Sequence, residues 1–144
     1  MGMIEQSVEF MQECTTCNHP CEGWMTQFIK QQKLHWAVEW SCSDCGIEAH
    51  DEESGVAPDY IRQALLSEHG SACIVSKSVN KRGRSLKVFR DVFELPIQGA
   101  KNYSAQLSTT GWRGTYVEVS LLSELLESAG IEVETCDRPD AVDL

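Results

Sequence analysis

Cys14-Thr15-Thr16-Cys17 and Cys42-Ser43-Asp44-Cys45 are two C-x2-C pairs, separated by residues 18–41. In each pair the two intervening residues let both sulfurs point the same way, with backbone amides turned towards them. Four thiolates brought together in this manner suit one tetrahedral zinc ion. Gly46 follows the second pair and permits the left-handed backbone that such a turn often needs. The expected cofactor is therefore a structural Zn2+ on Cys14, Cys17, Cys42 and Cys45, because four sulfurs leave no coordination position open for water. Cys21, His19 and His50 lie close enough in sequence to replace one ligand.

Other chemistries find less support. A zinc deaminase needs His-x-Glu with Pro-Cys-x-x-Cys, and neither element occurs. A dithiol redox motif expects a βαβ context that neither cysteine pair has. His19, His35, His50 and His69 form no triad pattern with a Ser or Cys, and no phosphate-binding glycine loop is present. The chain reads as non-enzymatic. Cys73 and Cys136 fall among apolar residues of expected strands and read as buried core thiols.

At 144 residues the chain is one domain or two small ones. The first 57 residues are too few for a strong core without a staple, which the metal would supply. No apolar run reaches the about 18 residues of a membrane span, and the N-terminus lacks the basic and apolar regions of a secretory signal. A cytoplasmic location is the expectation. In a reducing compartment, seven cysteines with four in C-x2-C units favour metal over disulfides.

The net charge is −10, unevenly spread. Residues 1–57 hold ten acids and two bases, residues 58–110 four and eight, and residues 111–144 eight and two. Phosphates repel such a chain, so nucleic acid is a poor partner and a basic protein a better one. The only basic patch, Lys81-Arg82-Gly83-Arg84 with Lys77 and Lys87, reads as a solvated turn.

The elements that must position the cysteines begin with residues 3–13, where Ile4, Val8 and Met11 fit either a short helix or a strand. Trp24, Phe28 and Ile29 suggest a short helix over 24–33. Leu34, Trp36, Val38 and Trp40 alternate on one side of a strand that feeds the second pair. Residues 1–50 thus resemble a zinc ribbon. Trp24, Trp36 and Trp40 would make its small core, one ring being left as a docking anchor. Residues 51–70 read as an acidic linker and a helix, Tyr60–Glu68, that ends at Gly70.

Residues 71–144 form the second part, with a short acidic tail. A strand is expected over Ala72–Val79, helices over 85–93 and from Ile97 to Leu107, and a short strand at Thr115–Val117. A leucine-rich helix ending at Gly130 and a closing strand, Ile131–Cys136, complete it. The expected fold class is α+β: a zinc ribbon followed by a β-α-α-β-α-β sandwich of three helices on a three-stranded sheet.

Two stretches carry a resemblance: Leu86-Lys87-Val88-Phe89-Arg90-Asp91-Val92-Phe93-Glu94-Leu95-Pro96-Ile97-Gln98-Gly99-Ala100-Lys101 and Leu125-Leu126-Glu127-Ser128-Ala129-Gly130-Ile131-Glu132-Val133-Glu134. Across about residues 72–136 the chain resembles the C-terminal domain of the bacterial ribosomal stalk protein, whose fold the Clp protease adaptor shares. The resemblance implies that Arg90 and Lys101, flanking the helix–helix turn, dock translation factors. The family's turn glycines are replaced here by Glu94-Leu95-Pro96, and its dimerisation helices by the cysteine-rich module.

Size, acidity and the lack of catalytic residues fit a bacterial immunity protein or antitoxin that neutralises a basic toxin, with Glu52, Glu53, Glu124 and Glu127 as expected contacts. The alternative is a zinc-ribbon adaptor linked to translation or proteolysis, acting through Arg90 and Lys101.

Overall fold

The computed structural model describes residues 4–77 and 82–136 and divides into two compact units, Met1–Glu68 and His69–Leu144. The class is α+β, with four helices and two antiparallel sheets. Lys81, the end of the expected strand at Val79 and the acidic tail from Asp137 lie outside the described residues.

The first unit is a four-stranded meander, β1 (Glu5–Glu13), β2 (Pro20–Lys30), β3 (Lys33–Ser41) and β4 (Glu48–Ser54), followed by α1 (Asp59–His69). Two expectations are corrected here. Residues 24–33 are not a helix: Gly23, Met25 and Gln27 line the buried side of β2, and this period of two was masked by a glycine and a glutamine at inward positions. Residues 51–54 are not linker but the outer strand β4, in register with β3 from His35↔Ser54 to Ser41↔Glu48. Its charged sequence suits an exposed sheet edge, where charge discourages pairing with other chains.

Residues directly opposite in an antiparallel pair share a face. Met25, Val8, Val38, Phe10 and Trp36 share one face of this sheet and pack against Ala57, Ile61 and Leu65, the last two on α1. The β2–β3 hairpin turns through Gln31 and Gln32, both left-handed (φ 55° and 62°), as its tight two-residue connection requires.

The second unit comprises β5 (Ala72–Val75), α2 (Arg82–Phe93), α3 (Ile97–Leu107), β6 (Trp112–Gly114), α4 (Tyr116–Ser128) and β7 (Glu134–Thr135). The strands lie in the order β6-β5-β7, all pairs antiparallel. Phe89, Phe93, Tyr103 and Trp112 form an aromatic cluster with ring centroids 5.2–6.4 Å apart, the Tyr103 ring edge-on to both phenylalanines. Leu121, Leu122 and Leu126 are fully buried on α4.

Three further details differ from expectation. Thr115–Val117 is not a strand but the start of α4. The Thr115 hydroxyl accepts the Glu118 N–H at 3.1 Å, and the Glu118 carboxylate accepts the Thr115 N–H at 3.0 Å, a reciprocal cap. Within the closing segment only Glu134 and Thr135 pair as strand. Cys73 and Cys136 are not separate core thiols but a disulfide, with the Cys136 N–H donating to the Cys73 carbonyl at 2.9 Å. Gly111 (φ +99°) passes so close that a β-carbon would lie 2.8 Å from one sulfur and 2.9 Å from the other.

Candidate metal centre and the acidic sheet face

In a four-strand meander the β1–β2 and β3–β4 turns fall at the same end of the sheet. The first carries Cys14 and Cys17, the second Cys42 and Cys45. The topology therefore brings together cysteines that are distant in sequence, without any help from the second unit.

The two turns are built alike. The Cys14 N–H donates to the His19 carbonyl at 2.8 Å, and the Asn18 N–H to the Cys14 carbonyl at 3.0 Å. One turn over, the Cys42 N–H donates to the Ile47 carbonyl at 2.9 Å, and the Gly46 N–H to the Cys42 carbonyl at 2.8 Å. Asn18 (φ 64°) occupies the left-handed position that Gly46 (φ 78°) fills in the second turn. Asparagine is among the few side chains that tolerate this conformation. Its equivalence to Gly46 was legible in the matching offset from each cysteine pair.

The four sulfurs lie within 4.8 Å of one another, a set that could hold a metal ion. Cys14 Sγ is 3.4 Å from Cys45 Sγ, and Cys17 Sγ is 3.6 Å from Cys42 Sγ. Cys14 and Cys42 are buried, Cys17 half-buried and Cys45 exposed.

Their acidities divide by position in the turn. The Cys17 backbone N–H, aided by that of Thr16 at 3.4 Å, stabilises the Cys14 thiolate and lowers its pKa to about 6, against the opposing effect of burial. The Cys45 and Asp44 N–H groups and the Cys21 thiol likewise lower Cys42. For Cys17, the His19 N–H favours the thiolate, but burial and the sulfurs of Cys42, Cys14 and Cys45 outweigh it and push the pKa up to about 12. Cys45 is also raised: the Ile47 N–H favours its thiolate, while Cys14, burial and Cys42 work against it. Each close sulfur pair thus joins an acidified cysteine from one turn to a weakly acidic one from the other. A cation with affinity for soft sulfur could take the place of the shared protons.

Among the spare ligands, His19 Nδ1 lies 3.3 Å from Cys17 Sγ and 3.6 Å from an Asp44 carboxylate oxygen, bridging the two turns. Cys21 is buried among Cys14 and Cys42 and donates to the His19 carbonyl at 3.6 Å. Burial first, then the neighbouring Cys42 and Cys14 sulfurs, push it up to about 12, so it stays a thiol. His50 belongs elsewhere, between Glu39 and Glu52 at 3.7 Å from each.

No family model, curated protein or solved structure matches this chain.

The sheet face opposite α1 is acidic. Glu5, Glu9 and Glu13 on β1, Glu22 on β2, Glu39 on β3, and Glu48 and Glu52 on β4 all share it by register. Lys30 and Lys33, the two bases of the first 57 residues, stand at the β2–β3 hairpin, the far end from the cysteines. Trp36 packs in the α1-facing core and Trp40 against the cysteine cluster, whereas Trp24 is 46% exposed on the acidic face.

The other expected contacts separate. Glu52 and Glu53, neighbours on β4, point to opposite faces. Glu124 and Glu127 line a shallow groove of the second unit with Tyr116 and Ser120. Arg90 and Lys101 are exposed on α2 and α3, and Glu94 between those helices adopts the left-handed conformation (φ 55°) of a helix-ending glycine. No described helix is long and apolar enough to cross a membrane.

Proposed function

We propose that this chain is a non-enzymatic acidic binding protein, stapled by a structural zinc on Cys14, Cys17, Cys42 and Cys45, that neutralises a basic protein in the manner of a bacterial immunity protein or antitoxin. The observation that carries this reading is the segregation of charge: seven glutamates on one face of a small sheet, with both nearby lysines at its far end. Such a face steers a cationic partner and repels nucleic acid. The metal's role would be to hold the two turns, and with them the end of the sheet, in place. Zn2+ bound by four thiolates supplies that rigidity and no reactive position.

The test is affinity capture from the native cell at low and moderate salt, followed by assay of the captured protein. A single small basic protein, held more tightly at low salt and inactivated by the added chain, is the expected result. Elongation factors, ribosomal proteins or protease subunits would instead favour an adaptor in translation or proteolysis. That second reading draws on Arg90 and Lys101, which flank the α2–α3 turn in exposed positions. It requires that alanine at both abolish the contact.

A further inference from the structure

The acidic face contains a groove of about 580 Å³ at its cysteine end, lined by Glu22, Trp24, Glu39, Glu48 and His50 among others. In the sheet register Glu9 and Glu39 stand directly across from Trp24 on either side. Glu22 and Glu48 occupy the adjacent row with only Ser41 between them, so their backbones lie about 10 Å apart at two strand spacings. Like charges crowded across strands destabilise a sheet. Among the described residues, Glu9, Glu22 and Glu48 form no ion pair, and His50 is the only basic group that offsets Glu39. The alternation that puts polar residues on this face also puts an indole there, 46% exposed, when burying it against α1 would have been the favourable choice.

Uncompensated carboxylates surrounding an open aromatic face complement one kind of group. The geometry points to this groove as the docking site for an arginine-bearing segment of a basic protein, with the guanidinium stacked on Trp24 and its N–H groups donating to the flanking glutamates. A guanidinium is planar, weakly hydrated and carries five donors in a fork, so it can stack and bond to carboxylates on both sides at once. A lysine ammonium meets only the charge. The inference rests on the binding reading above and adds where the partner sits and which side chain is recognised.

The test titrates the full chain with a capped tetra-arginine peptide and, as a neutral control of similar shape, a capped tetra-citrulline peptide, followed by two-dimensional NMR. The arginine peptide is expected to shift the Trp24 indole N–H and the amides of Glu22, Glu39 and Glu48. The citrulline peptide should not, and raising the salt should weaken the shifts. Trp24→Ala should weaken binding about five-fold or more, and Glu22→Gln with Glu48→Gln should weaken it further while leaving the remaining amide spectrum folded. Equal shifts with citrulline, shifts centred on Glu124 and Glu127, or unchanged affinity in Trp24→Ala would each overturn the inference. If a basic protein is captured but its contact maps away from Trp24, the groove assignment fails and the binding reading stands. If the peptide maps to the groove but no basic protein is held, the reverse holds.

Discussion

Cys14 Sγ and Cys45 Sγ approach to 3.4 Å although 30 residues separate them in the chain. One belongs to the turn after β1 and the other to the turn before β4. The pair couples an acidified thiol to a weakly acidic one, and the Cys17–Cys42 pair repeats the arrangement with the roles of the turns exchanged. Protons would compete with a metal ion held by these four sulfurs.

The first prediction follows from that competition. Cys14 has a folded pKa of about 6 against an ordinary value of 9.0, so its ionisation favours the folded metal-free chain. This contribution is complete above pH 9, declines as the pH falls and is gone below about 6. Cys17, Cys21 and Cys45 are shifted the other way, and they stay largely protonated in both states only below about pH 8, so up to that point they do not offset the trend. Denaturation of the metal-free protein at a series of pH values should therefore show stability rising from about pH 6 to about pH 8. Zinc affinity should also fall with acid, because binding displaces the protons still held by the thiols, above all those of Cys17 and Cys45. Affinity independent of pH between 6 and 8 would argue against four-thiolate ligation.

Cys21 should be dispensable for the metal. Cys21→Ser is expected to bind one zinc per chain, and the cobalt-substituted variant should keep the absorption of a four-sulfur site, whereas Cys42→Ser should lose it. Loss of the four-sulfur spectrum in Cys21→Ser would make it a ligand.

Asn18 should tolerate glycine and reject a β-branched residue. Its left-handed backbone costs a valine substantially more than an asparagine. Asn18→Gly should bind zinc as the parent does, and Asn18→Val should bind it about ten-fold or more weakly, as read by competition with a chromophoric chelator. Equal affinity for both would show that the first turn does not depend on that conformation.

The disulfide can be counted. Alkylation of the metal-stripped, denatured but unreduced chain should add five groups by mass, one for each free cysteine, and reduction should raise the number to seven. Cys73→Ser with Cys136→Ser should cost about 2–4 kcal/mol in chemical denaturation, the usual range for a cross-link closing a long loop. Seven adducts without reductant would mean that the two sulfurs are present as thiols.

In the first unit, Leu65 is fully buried on α1 against the sheet. Leu65→Ala should destabilise that unit by about 2–5 kcal/mol, from lost burial and the cavity left behind. A change under 1 kcal/mol would show that α1 contributes little to holding the sheet.

Much of this protein was determined by sequence alone, wherever the information is local. The C-x2-C spacing sets which atoms can act as soft ligands, and the alternation of Leu34, Trp36, Val38 and Trp40 sets the inner side of β3. The stripes of α2, α3 and α4 and the glycine and proline positions between them mark the helices of the second half. The capping pattern from Thr115 to Glu118 was equally local, but Thr115-Tyr116-Val117 read as a short strand.

Tertiary structure decided what depends on a partner strand. Whether residues 24–33 become strand or helix turned on pairing along both edges of β2, since Gly23 and Gln27 blur its period. β4 has no apolar period because an outer strand can be polar on both sides, so only its register with β3 reveals it. That register also sends Glu52 and Glu53 to opposite faces, gathers seven glutamates on the face that carries Trp24, and so creates a charged surface from residues scattered over some 50 positions. The union of Cys73 with Cys136 depends on β5 and β7 lying side by side. Charge and thiol content are properties of composition, but their proximity is a property of strand order, which no local stretch of chain encodes.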